Sequence, residues 1–567
     1  MNPRVVPLVA VLLVVVGAAA YLYYESTRYA GPAATTTATV VAGPTVTSAQ
    51  PTTAPATTPT PTATITPTPT TATVSTPVAA STTTATPATT PPRPGLLEYL
   101  KLKVEEILSS RPELDFFSTG IVVATLDGRV LYSLNPRKPL VPASNMKLLT
   151  AAAALRYLGP DFRFRTLFLV DGEVVNGTLV GNLIVRGFGD PTIVSGDWAE
   201  VRASRVGPLY EPEHLLDGVA EALAGLGVRR VSGDIVVDDY YLDHEWVHPS
   251  WAPGDLSYYY AAQVGALTIN RNTVLVEVYA SPTGSVRVRA VPDVGYVGVT
   301  FLGRVVSSSS EVRQSPTATR TLGTNEVTVT GDFVANSTYY LTVTVHDPGM
   351  YFGAVLRGTL RRYGIEVLGG VRRANTTGWR ARVVYTTESR PLADIVRAML
   401  KDSVNLYSEL LMKVLGREVV GEGSWSGGAR VILRLVDELG IDRSEVEVAD
   451  GSGLSRLNRL SANAIARLLQ VLYSNRYLYD ALPIAGVDGT LRSRMQGTAA
   501  QGNLRAKTGT LTGVSALSGY VTTRDGVVLV FSMIFNGFSA PSSVVKRSVE
   551  DRIGVLLAEL DTSQFGT

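Results

Sequence analysis

The stretch Pro142-Ala143-Ser144-Asn145-Met146-Lys147 decides the fold prediction, because it places a serine and a lysine three residues apart where a helix begins. Good helix formers follow over residues 145–158 and end at Gly159-Pro160. Positions i and i+3 of a helix lie on one face, so the lysine amine can reach the serine hydroxyl. A lysine accepts a proton when burial and a neighbouring cation lower its pKa. Ser144 is therefore a candidate nucleophile and Lys147 its candidate base.

Ser-X-X-Lys alone is weak evidence, because a chain of this length contains the spacing about once by chance. A second copy, Ser543-Val544-Val545-Lys546, lies on a predicted amphipathic helix near the C-terminus. Only the other motifs can decide between the two copies.

The second motif is Ser403-Val404-Asn405, which lies between two predicted helices. A second hydroxyl beside the nucleophile can pass a proton to the leaving amine, and the amide can orient the lysine and bind a substrate carbonyl. The same pattern occurs at Ser133-Leu134-Asn135 and at Ser461-Ala462-Asn463. The last of these is better explained as a helix N-cap.

The third motif is Lys507-Thr508-Gly509-Thr510, on the strand that opens a predicted C-terminal hairpin. Lys507 supplies a cation for a substrate carboxylate, and Gly509 lets the strand edge approach the ligand closely. The N–H groups of Thr510 and Ser144 would together form an oxyanion hole. Lys-Thr-Gly occurs once in the chain.

The three motifs follow each other in the order typical of penicillin-binding proteins and class A β-lactamases. The chain resembles the D-alanyl-D-alanine carboxypeptidase/endopeptidases among the class C low-molecular-mass penicillin-binding proteins, over about residues 96–560. The separation of 259 positions between Ser144 and Ser403 also fits that family, which inserts extra domains between the first two motifs. Phe188 and Val404 depart from the family pattern without removing a catalytic group. Further matching segments are 187–192, 233–235, 259–262, 450–455 and 482–491.

The resemblance implies an α/β fold: a β-lactamase/transpeptidase-like domain, with an antiparallel sheet flanked by helices, interrupted by a large β-rich insertion. It implies acyl transfer from a D-Ala-D-Ala-like peptide of the peptidoglycan type to Ser144, with Lys147 as base, Ser403 as proton relay and no metal or cofactor. β-Lactams are expected to acylate Ser144. Whether the enzyme trims terminal D-alanine or cuts cross-links stays open.

Two alternatives from other classes compete with this interpretation. His244-Glu245-Trp246-Val247-His248 matches the zinc-peptidase pattern, which requires both histidines on one helix and a third ligand. Pro249 follows at once and the flanking residues are turn-like, which argues against such a helix. The other alternative is a cell-surface protein that binds β-lactams or peptides without turnover.

Composition excludes several classes of function. Lys and Arg total 51 against 49 for Asp and Glu, so a net charge of +2 provides no electrostatic basis for binding nucleic acid. The chain has no cysteine, which excludes disulfides, thiolate nucleophiles and cysteine-ligated metals.

The N-terminal residues 1–28 predict export. Arg4 precedes an uncharged run over residues 5–24, long enough at about 1.5 Å per residue to cross a bilayer with the rest of the chain outside. We favour a transmembrane anchor over a cleaved signal peptide, because the apolar run continues through Tyr24. Residues 29–95, rich in Thr, Pro and Ala, predict a disordered, O-glycosylatable stalk. The protein is thus expected at the cell surface.

The remaining chain is predicted to form one interrupted catalytic domain. Residues 96–161 and 383–567 combine terminal strands with central helices, whereas residues 162–382 alternate short β-rich runs with turns. Single strands are expected at 179–186 and 231–237, among others. Helices are expected at 392–401 and 462–472, among others, and a last helix at 543–560. We therefore predict that residues 162–382 are an inserted β-rich region.

Overall fold

An antiparallel sheet built from both ends of the described chain carries the third motif. The structure is a computed structural model that describes residues 95–206 and 214–565. The predicted signal segment (1–28) and nearly all of the predicted stalk (29–95) lie outside these residues. No helix in the two described ranges is long and apolar enough to span a membrane.

The strands are, in chain order, β1 (Thr119–Thr125), β2 (Val130–Leu134), β3 (Arg165–Val170), β4 (Glu173–Val175), β5 (Thr178–Val180), β6 (Leu183–Gly187), β7 (Ile193–Val194), β8 (His214–Leu215), β9 (Arg230–Val231), β10 (Ile235–Asp238), β11 (Thr273–Ala280), β12 (Val286–Val291), β13 (Gly298–Phe301), β14 (Arg304–Val306), β15 (Thr317–Arg320), β16 (Glu326–Thr330), β17 (Asp332–Val334), β18 (Ser337–Thr344), β19 (Glu366–Val367), β20 (Val371–Arg373), β21 (Arg382–Glu388), β22 (Val446–Glu447), β23 (Arg459–Leu460), β24 (Arg505–Leu511), β25 (Val514–Thr522) and β26 (Val528–Asn536).

The α-helices are α1 (Leu96–Ser109), α2 (Met146–Tyr157), α3 (Gly196–Val206), α4 (Gly218–Gly225), α5 (Pro348–Arg362), α6 (Leu392–Lys401), α7 (Asn405–Val420), α8 (Trp425–Glu438), α9 (Ala462–Leu472), α10 (Arg476–Ala481), α11 (Ser542–Val545) and α12 (Asp551–Glu559).

The first sheet has the order β2-β1-β26-β25-β24, with every pair antiparallel. Side chains alternate between the faces of a strand. Along β25, Ala516 and Tyr520 join the core beneath α9, whereas Leu517 and Val521 join the core beneath α1 and α12. Because both faces are covered, β25 is an almost unbroken buried run. The prediction of an antiparallel sheet flanked by helices is confirmed.

The nucleophile helix α2 is buried among other helices. It packs against α6, α7 and α8, and all of its residues from Met146 to Leu155 are buried. Lys147 is therefore enclosed by protein, and its environment has a low dielectric constant.

Residues between the first two motifs form a second core. A mixed sheet with the order β20-β10-β6-β3-β21 has α5 packed on β10, and smaller sheets such as β12-β11-β18 surround it. Phe168, Val237 and Phe352 lie in that core. The described residues pack together as one compact unit. The proposed domain boundaries, 96–161 with 383–567 against 162–382, stay a prediction.

Four details of the predicted elements differ from the structure. Residues 179–186 form two strands, β5 and β6, in different sheets, and residues 231–237 are likewise divided between β9 and β10. The nucleophile segment begins as a 3₁₀ turn over Ala143–Asn145, and α2 starts only at Met146. The last helix contains a π-helical segment at Lys546–Glu550, between α11 and α12.

Candidate active site

Ser144 lies in a strained 3₁₀ turn that packs against β24. Ala143 has φ +46°, a left-handed backbone conformation that costs a non-glycine residue about 1–3 kcal/mol. Such strain is found at functional sites more often than elsewhere. Gly509 permits the close packing, since a Cβ there would come 2.8 Å from the carbonyl oxygen of Pro142. Ser144 itself stays partly exposed.

Lys147 is completely buried and has three oxygen neighbours. Its Nζ lies 3.0 Å from Ser144 Oγ, 2.6 Å from Asn405 Oδ1 and 2.9 Å from the carbonyl oxygen of Ser452. Burial lowers the pKa of Lys147 to about 7, and the charges of Glu409 and Asp450 oppose that shift. A substantial fraction of the amine is therefore neutral at neutral pH.

Ser403 and Asn405 lie at the junction of α6 and α7. Ser403 has φ +58°, a second left-handed backbone conformation at a motif residue. Asn405 is the first residue of α7, and its Nδ2 donates to the carbonyl oxygen of Tyr260 at 2.8 Å. With both ends of the amide held, its oxygen faces Lys147.

Lys507 extends from β24 toward the second motif. Its Nζ donates to Ser403 Oγ at 2.8 Å and to the carbonyl oxygen of Thr508 at 2.9 Å. Burial, followed by the charges of Lys147 and Lys546, lowers the pKa of Lys507 well below its ordinary value. The hydroxyl of Thr508 bonds that of Thr490 at 2.8 Å.

The structure thus brings the three predicted motifs together. Ser144, Lys147 and Asn405 form one hydrogen-bonded group, and Ser403 and Lys507 form a second group beside it. Thr510 lies on β24, an edge strand of its sheet, next to the turn that carries Ser144. This placement is compatible with the oxyanion hole expected from the N–H groups of Thr510 and Ser144.

Three contributors were missed from the sequence. The segment 450–455 is one of those that match the family, but its residues do not single out the backbone carbonyl of Ser452 as a partner of Lys147. Glu409 had one, because it lies four residues after Asn405 and so on the same face of a helix. Lys546, the lysine of the second Ser-X-X-Lys copy, is close enough to Lys507 for its charge to lower the pKa there.

The zinc-peptidase pattern does not have the geometry of a metal site. Residues 244–248 are not helical. His244 Nε2 lies 3.0 Å from Asp239 Oδ1, and His248 Nδ1 lies 2.7 Å from Ser250 Oγ. Within residues 95–206 and 214–565, no group of three or more His, Asp or Glu side chains is arranged to hold a metal ion.

Comparison with known proteins gives one consistent result. Residues 100–560 match the family model described as the D-Ala-D-Ala carboxypeptidase 3 (S13) family. A D-alanyl-D-alanine carboxypeptidase of Actinomadura sp. (strain R39) is 35% identical over 480 residues, which are 82% of this chain and 85% of that protein. The carboxypeptidase DacB of Haemophilus influenzae is 26% identical over 451 residues, 78% of this chain and 89% of the relative.

Solved structures agree with this result. The crystal structure of penicillin-binding protein 4 (dacB) from Haemophilus influenzae has a TM-score of 0.67 at 25% identity, covering 81% of this chain and 99% of that one. The same protein in complex with a β-lactam has a TM-score of 0.63 and covers 80% and 98%. The fold resemblance noted in the sequence is therefore confirmed. This chain belongs to the D-Ala-D-Ala carboxypeptidase 3 (S13) family.

Proposed function

We propose that Ser144 of this chain attacks the peptide bond of a D-Ala-D-Ala terminus, with Lys147 as general base. The chain is a penicillin-binding, serine-type D-Ala-D-Ala carboxypeptidase that acts outside the cytoplasm, as its family membership implies. The roles of the individual residues are our assignment. These roles depend on one observation, namely that the Lys147 amine has three oxygen neighbours: Ser144 Oγ, Asn405 Oδ1 and the carbonyl oxygen of Ser452.

The environment of Lys147 directs its lone pair at the nucleophile. The oxygens of Asn405 and Ser452 are carbonyl oxygens, which only accept hydrogen bonds. Each therefore takes one N–H of the amine, at 2.6 and 2.9 Å. A neutral amine has two N–H bonds and one lone pair, so the lone pair faces Ser144 Oγ at 3.0 Å. This is the arrangement that a general base needs.

Acylation begins when the proton of Ser144 passes to Lys147 and Oγ bonds to the substrate carbonyl carbon. The N–H groups of Ser144 and Thr510 stabilise the oxyanion that forms. Collapse of the tetrahedral intermediate breaks the C–N bond, Ser403 gives its proton to the departing D-alanine amine, and the proton held by Lys147 replaces the one that Ser403 has lost. Water then hydrolyses the ester by the reverse sequence and frees Ser144.

Lys507 completes the substrate site. Its amine donates to Ser403 Oγ at 2.8 Å, and a substrate carboxylate bound beside it favours the protonated form that burial disfavours. Thr508 and Thr510 offer hydroxyls on the same strand. In our assignment these residues bind the terminal carboxylate of the substrate, so the enzyme prefers to cleave next to a free C-terminal residue.

Release of D-alanine from a peptide that ends in D-Ala-D-Ala tests the proposal. Ser144→Ala is expected to abolish release and labelling by a fluorescent penicillin, whereas Ser543→Ala, in the second Ser-X-X-Lys copy, retains both. Release of D-alanine by Ser144→Ala would refute the assignment. So would loss of release by the wild type when a metal chelator is added but not when penicillin is added. Labelling of the wild type without D-alanine release would favour a binding protein without turnover.

We also propose that the uncharged run over residues 5–24 anchors the protein in the membrane. Mass spectrometry of the intact protein from membranes of its own host tests this idea. A mature protein that retains Tyr24 and sediments with the membrane supports the anchor. A protein that starts near Tyr21 indicates cleavage of a signal peptide instead.

A further inference from the structure

The turn over residues 450–453 lies directly behind the general base. The carbonyl oxygen of Ser452 accepts from Lys147 Nζ at 2.9 Å. The preceding carbonyl oxygen, that of Gly451, accepts from Thr150 Oγ1 at 2.8 Å and from Ser408 Oγ at 2.6 Å. Two successive carbonyl groups of this turn therefore bind side chains of the nucleophile helix α2. These hydrogen bonds fix the turn against the helix that carries the general base.

A buried carboxylate, Asp450, holds one peptide unit of this turn. Its Oδ1 accepts from the N–H of Gly453 at 2.8 Å and from Asn458 Nδ2 at 2.7 Å. Its Oδ2 accepts from the N–H of Ser455 at 2.6 Å and from Trp251 Nε1 at 2.9 Å. Asp450 is 0% exposed, so every donor that it meets belongs to the protein.

A second buried carboxylate, Glu409, holds the adjoining unit. Its Oε1 accepts from the N–H of Ser452 at 2.8 Å. Its Oε2 accepts from the N–H of Gly451 at 3.0 Å and from Trp425 Nε1 at 2.8 Å. Glu409 is also 0% exposed. Burying a carboxylate costs several kcal/mol unless donors surround it, and two such groups lie here side by side.

Because the peptide bond is planar, a carboxylate that fixes the N–H of a peptide unit also fixes the direction of its C=O group. The C=O of Ser452 and the N–H of Gly453 belong to one rigid plane and point in opposite directions. Asp450 fixes that N–H, so the carbonyl oxygen must point at Lys147. Glu409 fixes the preceding plane in the same way and directs the Gly451 carbonyl at Thr150. Neither carboxylate forms an ion pair with Lys147 among the described residues.

We propose that Glu409 and Asp450 are positioning residues for acylation: by fixing the peptide units on the two sides of Ser452 they hold its carbonyl oxygen against Lys147, and so aim the lone pair of the amine at Ser144. This inference rests on the proposed function of Lys147 as general base. Without a fixed acceptor at the Ser452 carbonyl, the amine can rotate and turn an N–H toward Ser144 instead. The two carboxylates also attract the protonated lysine, and each favours a higher pKa for Lys147.

The test compares Glu409→Gln and Asp450→Asn with a matched control, Glu445→Gln. Glu445 is a buried carboxylate that accepts from Asn463 at 3.1 Å and from Arg137 at 2.7 Å, and it does not contact the turn. The readout is the acylation rate by a fluorescent penicillin per folded molecule, measured from pH 5 to pH 9. Folded protein is quantified by circular dichroism in each sample.

The expected result has two parts. In both carboxylate variants the plateau rate falls at least about tenfold, because an amide offers an N–H where these N–H donors need an acceptor. The midpoint of the acid limb moves to lower pH in Asp450→Asn, because removal of an anion disfavours protonated Lys147. Burial and the charge of Asp450 raise the pKa of Glu409 to about 7, so Glu409 is partly protonated along this limb and Glu409→Gln moves the midpoint less. The variants do not replace the other charged residues that face the cluster, which are Lys413, His248 and Lys507. Glu445→Gln keeps both the wild-type plateau and the wild-type midpoint.

The inference would be overturned if both carboxylate variants kept the wild-type rate and midpoint. It would also be overturned if Glu445→Gln lowered the acylation rate as much as they do. If neither variant folds, Thr150→Val combined with Ser408→Ala removes the two hydroxyls that hold the Gly451 carbonyl. This combination is expected to slow acylation, and a wild-type rate would then reject the inference. Failure of the proposed function looks different, since the wild type itself would not be labelled at Ser144.

Discussion

Lys507 and Ser403 share a hydrogen bond of 2.8 Å, although 104 positions separate them in the chain. The lysine donates to the oxygen of the serine, so the hydroxyl hydrogen of Ser403 is left to point elsewhere. A group that must deliver a proton to a departing amine needs this orientation. The bond therefore makes a prediction about which step depends on Ser403.

Ser403→Ala is expected to lower kcat/KM for release of D-alanine by about 10²- to 10⁴-fold, the usual contribution of a proton-transfer group. Steady-state kinetics with a D-Ala-D-Ala peptide measure this loss. Ser461→Ala is the matched control, because it belongs to another Ser-X-Asn copy and caps α9 through the N–H of Ala464 at 2.8 Å. It should cost about 1 kcal/mol of stability and leave kcat/KM unchanged. Equal kinetic losses in both variants would contradict the relay.

Lys147 predicts the pH dependence of acylation. Its pKa in the folded protein is about 7, below the ordinary value because of burial, and only the neutral amine accepts a proton. The acylation rate should therefore level off above about pH 7 and fall about tenfold per pH unit well below it. Stopped-flow measurement with a chromogenic cephalosporin follows this limb. A rate independent of pH between 5 and 8 would be inconsistent with a lysine base.

Lys147→Arg tests the same group at constant charge. A guanidinium stays protonated at all accessible pH values, so it cannot act as a base. We expect the acylation rate to fall by about 10²- to 10⁴-fold at pH 8. Intrinsic fluorescence and thermal unfolding establish that the variant is folded before the rate is compared. Near wild-type acylation in a folded Lys147→Arg would exclude our assignment of the base.

Much of the fold was predictable where local signals are strong. The predicted helices at 392–401 and 462–472 have the observed bounds of α6 and α9, because amphipathic periodicity and, for α9, the Ser461 cap mark their ends. The three motifs were found because their order along the chain is informative when each one alone is not. Their meeting around Ser144 followed from the resemblance and not from spacing.

The remainder depends on contacts that local sequence does not encode. The apolar run at 179–186 has the composition of one strand, yet the chain passes between two sheets at residues 181–182. Which sheet a short run joins is decided by partners far away in the chain, such as Val231 for Leu179. The direction of the Ser452 carbonyl was not predicted, since it depends on hydrogen bonds to Asp450 in the same turn and to Glu409, which lies 43 positions earlier in the chain.

A buried ion pair beside the second motif is expected to matter for stability. Lys401 Nζ donates to Asp488 Oδ2 at 2.7 Å, and the two side chains are 2% and 12% exposed. Asp488→Asn removes the carboxylate that pairs with this buried lysine, so unfolding should cost about 3–5 kcal/mol less. Chemical denaturation measures the change. Asp480→Asn removes one partner of an exposed pair with Arg476 and should leave the denaturation midpoint unchanged. A loss no larger than in that control would show that the buried pair is not stabilising.

Gly453 links the stability of the turn to the geometry of the nucleophile. It has φ +85°, and a Cβ there would collide with the carbonyl oxygen of Ala143, the residue before Ser144. Gly453→Ala should therefore displace the turn that carries Ser144 and abolish labelling by fluorescent penicillin. Gly440→Ala is the control, since Gly440 has φ +64° with nothing within 4 Å of its Cβ position. The control is expected to lose about 1–2 kcal/mol from backbone strain alone and to be labelled normally. If folded Gly453→Ala is labelled as fast as Gly440→Ala, the contact between this glycine and Ala143 does not set the position of Ser144.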